Sequence, residues 1–98
     1  MPAILELIRT IEQRPAMYFG TRSLVRLKAF LDGWRFAKGH DADDEQFLAG
    51  FQEWIQQRYR ITSSHSWADI IGFFEENDVA AFEKAMFLIN EYADSQPR

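Results

Sequence analysis

The chain has 98 residues, 47% of them hydrophobic and 15% aromatic, which is enough for one modest core and excludes a disordered tail. It contains no Cys, which excludes a disulfide framework and a zinc–thiolate site. The net charge of −4 is unevenly divided: residues 1–39 hold seven basic and three acidic side chains (+4), and residues 40–98 hold four basic and twelve acidic (−8).

Five segments carry helical periodicity. The first runs from about Pro2 to Gln13, with Ile4, Ile8 and Ile11 on one apolar face. Pro suits a first helical position, and Pro15 ends the segment because the residue before a proline is pushed out of the α region. The second runs from about Ser23 to Lys38. Thr21 or Ser23 can cap its start and Gly39 can end it in the left-handed conformation. Leu24, Leu27, Phe30, Leu31, Trp34 and Ala37 form its main apolar face, and Val25, Ala29 and Phe36 a second, narrower stripe. A helix apolar on two sides is either central in a bundle or half-used by a partner.

The third segment runs from about Asp44 to Tyr59, behind an acidic run at Asp41, Asp43, Asp44 and Glu45 that suits a helix dipole. Phe47, Leu48, Phe51, Trp54, Ile55 and Tyr59 share one arc, and Arg58 falls inside it. A guanidinium there must snorkel, stack on an aromatic ring or pair with a carboxylate. After a polar connector, Ser66 and Asp69 resemble a capping box for a fourth helix from Trp67 to about Glu76, with Ile70, Ile71 and Phe74 inward. Asn77-Asp78 caps a fifth, from Val79 to about Ala93, with Phe82, Ala85, Met86, Ile89 and Tyr92 inward and Phe87 pointing elsewhere. No segment alternates with period two, so the expected fold is all-α: one helical domain over residues 1–98, a bundle of about five helices without a sheet.

Between the first two helices lies Arg14-Pro15-Ala16-Met17-Tyr18-Phe19-Gly20, where a connector would ordinarily be polar. Three large apolar or aromatic side chains in a row do not all face water cheaply. Met17 and Phe19 are expected to seal the bundle, with Arg14 and Tyr18 holding polar contacts at its edge.

Motifs for chemistry are sparse. The chain has no P-loop, no dinucleotide glycine fingerprint and no His-Glu-x-x-His. Counted from Asp41, the sixth and twelfth positions hold Gln46 and Gln52, where a calcium loop needs Gly and Glu. His65 follows two serines, but an activated Ser needs a base, a group orienting it and an oxyanion hole. Arg22, Arg26, Lys28 and Arg35 lie on or near one helix, yet the chain is acidic and has no nucleic-acid motif, so nucleic acid is not the expected partner. The N-terminus lacks a signal-peptide pattern, and the longest strongly apolar run, Ile70 to Phe74, is too short to span a bilayer. A cytoplasmic protein without membrane contact is expected.

The heptad Arg14 to Gly20 resembles the Arg-Pro-x-Met-Tyr-x-Gly segment near the N-terminus of type II topoisomerase B-subunit ATPase domains. That family follows it with a helix bearing Glu and Asn for nucleotide and magnesium. Here Leu24 to Trp34 contains neither, which excludes an intact ATPase of that type. The order of this heptad, Phe30-Leu31-Asp32-Gly33, Trp54-Ile55 with Arg58-Tyr59, Ser66-Trp67, Ile70-Ile71 and Phe82 is similar to small helical bacterial proteins of polymorphic-toxin and contact-inhibition loci, which are immunity-like. This resemblance implies inhibition of a cognate toxin by binding.

The resulting expectation is a non-catalytic protein-binding module with no cofactor and no metal, its partner a toxin domain. Arg14, Tyr18, Phe36 and Phe87 are the candidate anchors, and Asp43 and Asp44 lie on an acidic rim. One alternative is a small-ligand-binding or enzymatic domain with a pocket near Tyr18, Arg58 and His65. The other is a homodimer or structural subunit joined through the Val25, Ala29 and Phe36 stripe.

Overall fold

The computed structural model describes residues 1–97, which form six helices and, among the described residues, no strand. They are α1 (Ala3–Gln13), α2 (Pro15–Phe19), α3 (Leu24–Lys38), α4 (Ala42–Tyr59), α5 (Trp67–Phe73) and α6 (Asp78–Ser95). The all-α bundle follows from apolar residues recurring at helical spacing. Ile4, Ile8 and Ile11 of α1, Leu27 and Leu31 of α3, Phe51 and Ile55 of α4, Ile70 and Ile71 of α5, and Leu88 and Ile89 of α6 are buried together. α6 packs against α3, α4 and α5, and α1 packs against α4 and α2. No helix among the described residues is long and apolar enough to cross a membrane.

The helix beyond the five expected is α2, which lies within the heptad. Pro15 supplies its first residue, and Gly20 ends it at φ +75, donating its N–H to the Ala16 carbonyl at 2.8 Å. This overturns the expectation for Met17. Phe19 is buried, but Met17 is 67% exposed. At 3.6 residues per turn, side chains two positions apart point in roughly opposite directions, so one turn of helix cannot bury both. The Tyr18 contact is aromatic rather than polar: its ring lies 6.3 Å from Phe19 and 6.1 Å from Phe30. Arg14 holds the corner through its backbone, its N–H bonding the Ile11 carbonyl and its carbonyl accepting from Met17.

Two boundaries also differ. Asp41, not a later residue, is the N-cap of α4, accepting from the Asp43 and Asp44 N–H groups at 3.0 and 3.4 Å, so the helix begins at Ala42. α5 stops at Phe73 rather than Glu76. Phe74 and Glu75 donate to the Ile71 and Gly72 carbonyls, i to i+3 bonds that tighten the end of the helix. Phe74 is consequently exposed, not inward, and stacks on Tyr59 with centroids 5.0 Å apart.

Much of the charge asymmetry is consumed inside the fold. Arg9 meets Asp94 at 3.6 Å, Arg22 meets Glu83 at 3.3 Å, Arg35 meets Glu45 at 2.5 Å and Lys38 meets Asp44 at 2.8 Å. Each pair joins the basic first part to the acidic second. Exposed pairs such as Arg22–Glu83 contribute little to stability, but they leave few free cations on the first part's surface.

Candidate functional site

An open groove of about 790 Å³ lies between the first turns of α3, the 61–66 connector, α5 and the turn that leads into α6. Local chemistry holds each wall. Gln52 of α4 accepts from the Trp67 N–H at 2.6 Å and donates to the His65 carbonyl at 2.9 Å. Gln56, one turn on, donates to the Ser63 carbonyl at 2.9 Å. Two amides at i and i+4 thus pin a connector that has no helix or sheet partners of its own. Ser66 caps α5 by accepting from the Asp69 N–H at 3.1 Å.

The opposite wall is fixed by Asp78, the first residue of α6. Its carboxylate accepts from the Leu24 and Val25 N–H groups at 2.9 and 3.1 Å and from the buried Ser23 hydroxyl. A carboxylate therefore sits on the otherwise unpaired N–H groups at the start of α3, where the helix dipole favours it. Ser23 in turn accepts from the Arg26 N–H at 3.0 Å, the local cap expected from sequence.

Leu24, Ile70 and Ala81 line the buried side of the groove. Its rim is apolar and open to water: Phe73 is 81% exposed and Val25 72%. The charged lining is mostly acidic. Lys28 is bound to Asp32 at 2.6 Å, and Asp78 is committed to α3. Asp69, Glu75 and Glu76 form no ion pair among the described residues.

His65 also lines this groove, and its Nδ1 shares a hydrogen bond with Ser63 Oγ at 2.7 Å. Both residues are exposed and belong to one four-residue stretch. No carboxylate orients the imidazole among the described residues, and the bond braces the connector. Neither Tyr18 nor Arg58 lines the groove. Arg58 lies over the Trp54 ring at 5.2 Å and pairs with Glu91 at 3.0 Å, which answers how its charge is accommodated on an apolar arc. Tyr18, Arg58 and His65 therefore do not share this site.

The six residues singled out from sequence are dispersed. Arg14 and Tyr18 belong to the α1–α2 corner. Phe36 is exposed at the end of α3, its ring edge-on to His40. Phe87 is exposed on α6, with Lys84 over its ring at 5.7 Å. It lines a second, shallower concavity of about 590 Å³, bordered by the Arg22–Glu83 pair and the Asn90–Glu12 hydrogen bond. Asp43 is exposed in the first turn of α4.

Asp44 is a correction: it is 1% exposed and cannot form part of a rim. Its carboxylate accepts from the Ile4 N–H at 3.0 Å and from Lys38 Nζ at 2.8 Å, tying α1, α3 and α4 together. Periodicity does not distinguish it from Asp43, because its partner N–H is forty residues away. The groove residues Phe73, Asp69, Glu75 and Glu76 are not among the six either. Consecutive aromatics at 73 and 74 were the available signal, since neighbouring helical side chains diverge by about 100° and cannot both be buried with ease.

Beside Asp44, Arg35 donates to both Glu45 carboxylate oxygens at 2.7 and 2.5 Å. This hydrogen bonding holds the Glu45 carboxyl below its ordinary value and the Arg35 guanidinium above its own. A depressed folded-state carboxyl contributes stability that is complete above the unfolded value of about 4.5. That contribution is lost as pH falls through the lower folded value. Glu45→Gln is therefore expected to flatten the acid limb of thermal stability below about pH 4.5, with little change in its slope at neutral pH. Melting temperatures recorded between pH 3 and 7, as approximate bounds, check this.

No protein-family model matches this chain, and neither a curated protein nor a solved structure is significantly similar to it.

Proposed function

We propose that this chain is a non-catalytic protein-binding module whose contact face is the groove between α3, the 61–66 connector and α5. The observation that carries this reading is Phe73, which is 81% exposed beside Val25 on the rim of an open concavity. Full burial of a side chain like Phe contributes about 1.5–3 kcal/mol, and here that contribution is left unused. Exposed aromatics beside a concave apolar surface are the usual anchors of protein recognition. The resemblance to immunity-like proteins makes the partner a toxin domain and the function inhibition by occlusion.

The test is co-expression with the product of the adjacent coding region. Growth arrest by that product alone, relief by this chain, and a complex that co-elutes in gel filtration are expected. Phe73→Ser should weaken the complex about tenfold or more, since truncating an anchor costs about 2 kcal/mol. Absence of both relief and complex would remove the inhibitor reading.

A second reading is self-association through α3. Val25, Ala29 and Phe36 are all exposed along that helix. Light scattering that reports a monomer at high concentration would eliminate it.

A further inference from the structure

Resting on the proposed binding role, we infer that the occupant of the groove is a cationic amphipathic polypeptide segment, one that presents apolar side chains on one face and Lys or Arg beside them. The inference comes from how the groove's charges are used. Of the ionisable side chains lining it, His65 shares its Nδ1 hydrogen bond with Ser63, and Lys28 is neutralised by Asp32 at 2.6 Å. Asp78 is occupied by the N–H groups of α3. Asp69, Glu75 and Glu76 remain without ion-pair partners among the described residues. They come from two places, the first turn of α5 and the turn that follows it, and so flank the apolar rim at Phe73.

Three unpaired carboxylates around an apolar surface define the complement. An anionic partner, whether nucleic acid, phosphopeptide or acidic bilayer, would be repelled. A neutral apolar partner would bury or crowd carboxylates without compensation, which is costly. A segment with basic side chains beside its apolar face satisfies both demands, in the helix-in-groove manner. Among the described residues no Lys or Arg of this chain forms an ion pair with Asp69, Glu75 or Glu76.

The experiment is an amide-resolved NMR titration of the labelled full chain with three synthetic peptides. The first is an amphipathic helix of Leu and Lys, the second has Glu in place of Lys, and the third scrambles the first so that it has no apolar face. The Leu/Lys helix should perturb the amides of Val25, Gly72, Phe73 and Glu76. It should bind at least about tenfold more tightly than either control, with affinity that falls as salt rises. Asp69→Lys with Glu76→Lys, two exposed positions, should weaken the Leu/Lys peptide about tenfold and improve the Leu/Glu one. Phe73→Ser should weaken both. Thermal unfolding checks that each variant is folded, and Asp69→Asn with Glu76→Gln gives the same direction with a smaller effect if charge reversal unfolds the chain.

Equal affinity for the Leu/Lys and Leu/Glu helices, perturbations away from the groove, or no binding of the Leu/Lys helix would overturn the inference. A concentration-dependent dimer that Phe73→Ser dissolves would assign the groove to a second copy and overturn it too. The binding role fails separately, by the absence of relief and complex. If the toxin complex forms and is unchanged by the charge reversal, the module stands and the cationic partner does not.

Discussion

Asp44→Ala is expected to lower the free energy of unfolding by about 3 kcal/mol. The Asp44 carboxylate is almost wholly buried and serves three helices at once. It closes the start of α1 by accepting from the Ile4 N–H at 3.0 Å, and Ile4 is itself fully buried. A helix start leaves backbone N–H groups without intrahelical partners, so removing this acceptor strands a buried donor. Lys38 suffers less: its side chain is 34% exposed and can turn to water. Its ammonium, held above its ordinary value chiefly by the Asp44 hydrogen bond, would return toward that value. Asp44→Asn keeps an acceptor for Ile4 but sets an NH2 donor against Lys38, which loses its acceptor and turns to water, so about half the destabilisation is expected. Denaturant melts of the two variants give the comparison. An Ala variant within about 0.5 kcal/mol of the parent would show that Ile4 finds another partner.

The second large effect is an inversion of sign at a glycine. Replacing Gly by Ala inside a helix ordinarily stabilises it by about 0.5–1 kcal/mol. At Gly50 in α4 the added methyl would sit 2.1 Å from the Tyr92 hydroxyl oxygen and 3.3 Å from Cζ. The ring cannot swing aside freely. It is wedged among Phe47, Phe51 and Trp54 at centroid distances of 5.4, 5.6 and 5.6 Å. Gly50→Ala is therefore expected to destabilise the chain by about 2 kcal/mol, within the range for overpacked cores. Tyr92→Phe removes the colliding oxygen. The double variant should recover to within about 0.5 kcal/mol of Tyr92→Phe alone, a coupling of about 2 kcal/mol. Gly33→Ala, where an added methyl meets nothing within 4 Å, is the control and should stabilise slightly. Equal behaviour of Gly33→Ala and Gly50→Ala would show that the α4–α6 contact gives way easily.

These two residues illustrate why some of the molecule was legible and some was not. Asp41, Asp43, Asp44 and Glu45 look alike as a dipole-favoured helix start. In the fold they separate into a cap, an exposed charge, a buried tie and the partner of Arg35. Gly50 reads as a weak spot in a helix, yet it is the space that admits Tyr92. Both distinctions depend on which distant residue arrives at that point, and a local pattern contains no such term.

The candidate site shows the same division. The exposed stripe Val25, Ala29 and Phe36 could be read from periodicity, because it repeats on one helix. The groove could not, since its rim joins Val25 of α3 to Phe73 of α5 and takes its charges from α5 and the turn that follows it. Whether Phe73 or Phe74 is the more exposed turns on where α5 ends: helical periodicity carried to Glu76 puts Phe74 inward, but the helix stops at Phe73.

What the sequence determined by itself is what short-range chemistry controls. Apolar spacing set the all-α class, and Ser23, Gly39, Ser66 and Asn77 set helix ends through hydrogen bonds reaching four residues or fewer. The tertiary structure alone decided that Met17 faces water while Phe19 is buried, that Asp44 is a buried tie, and that unpaired carboxylates gather around Phe73. Each of these is a contact or an exposure fixed by elements far apart in the chain, and it is the packing of α1, α3, α4, α5 and α6 that brings those elements together.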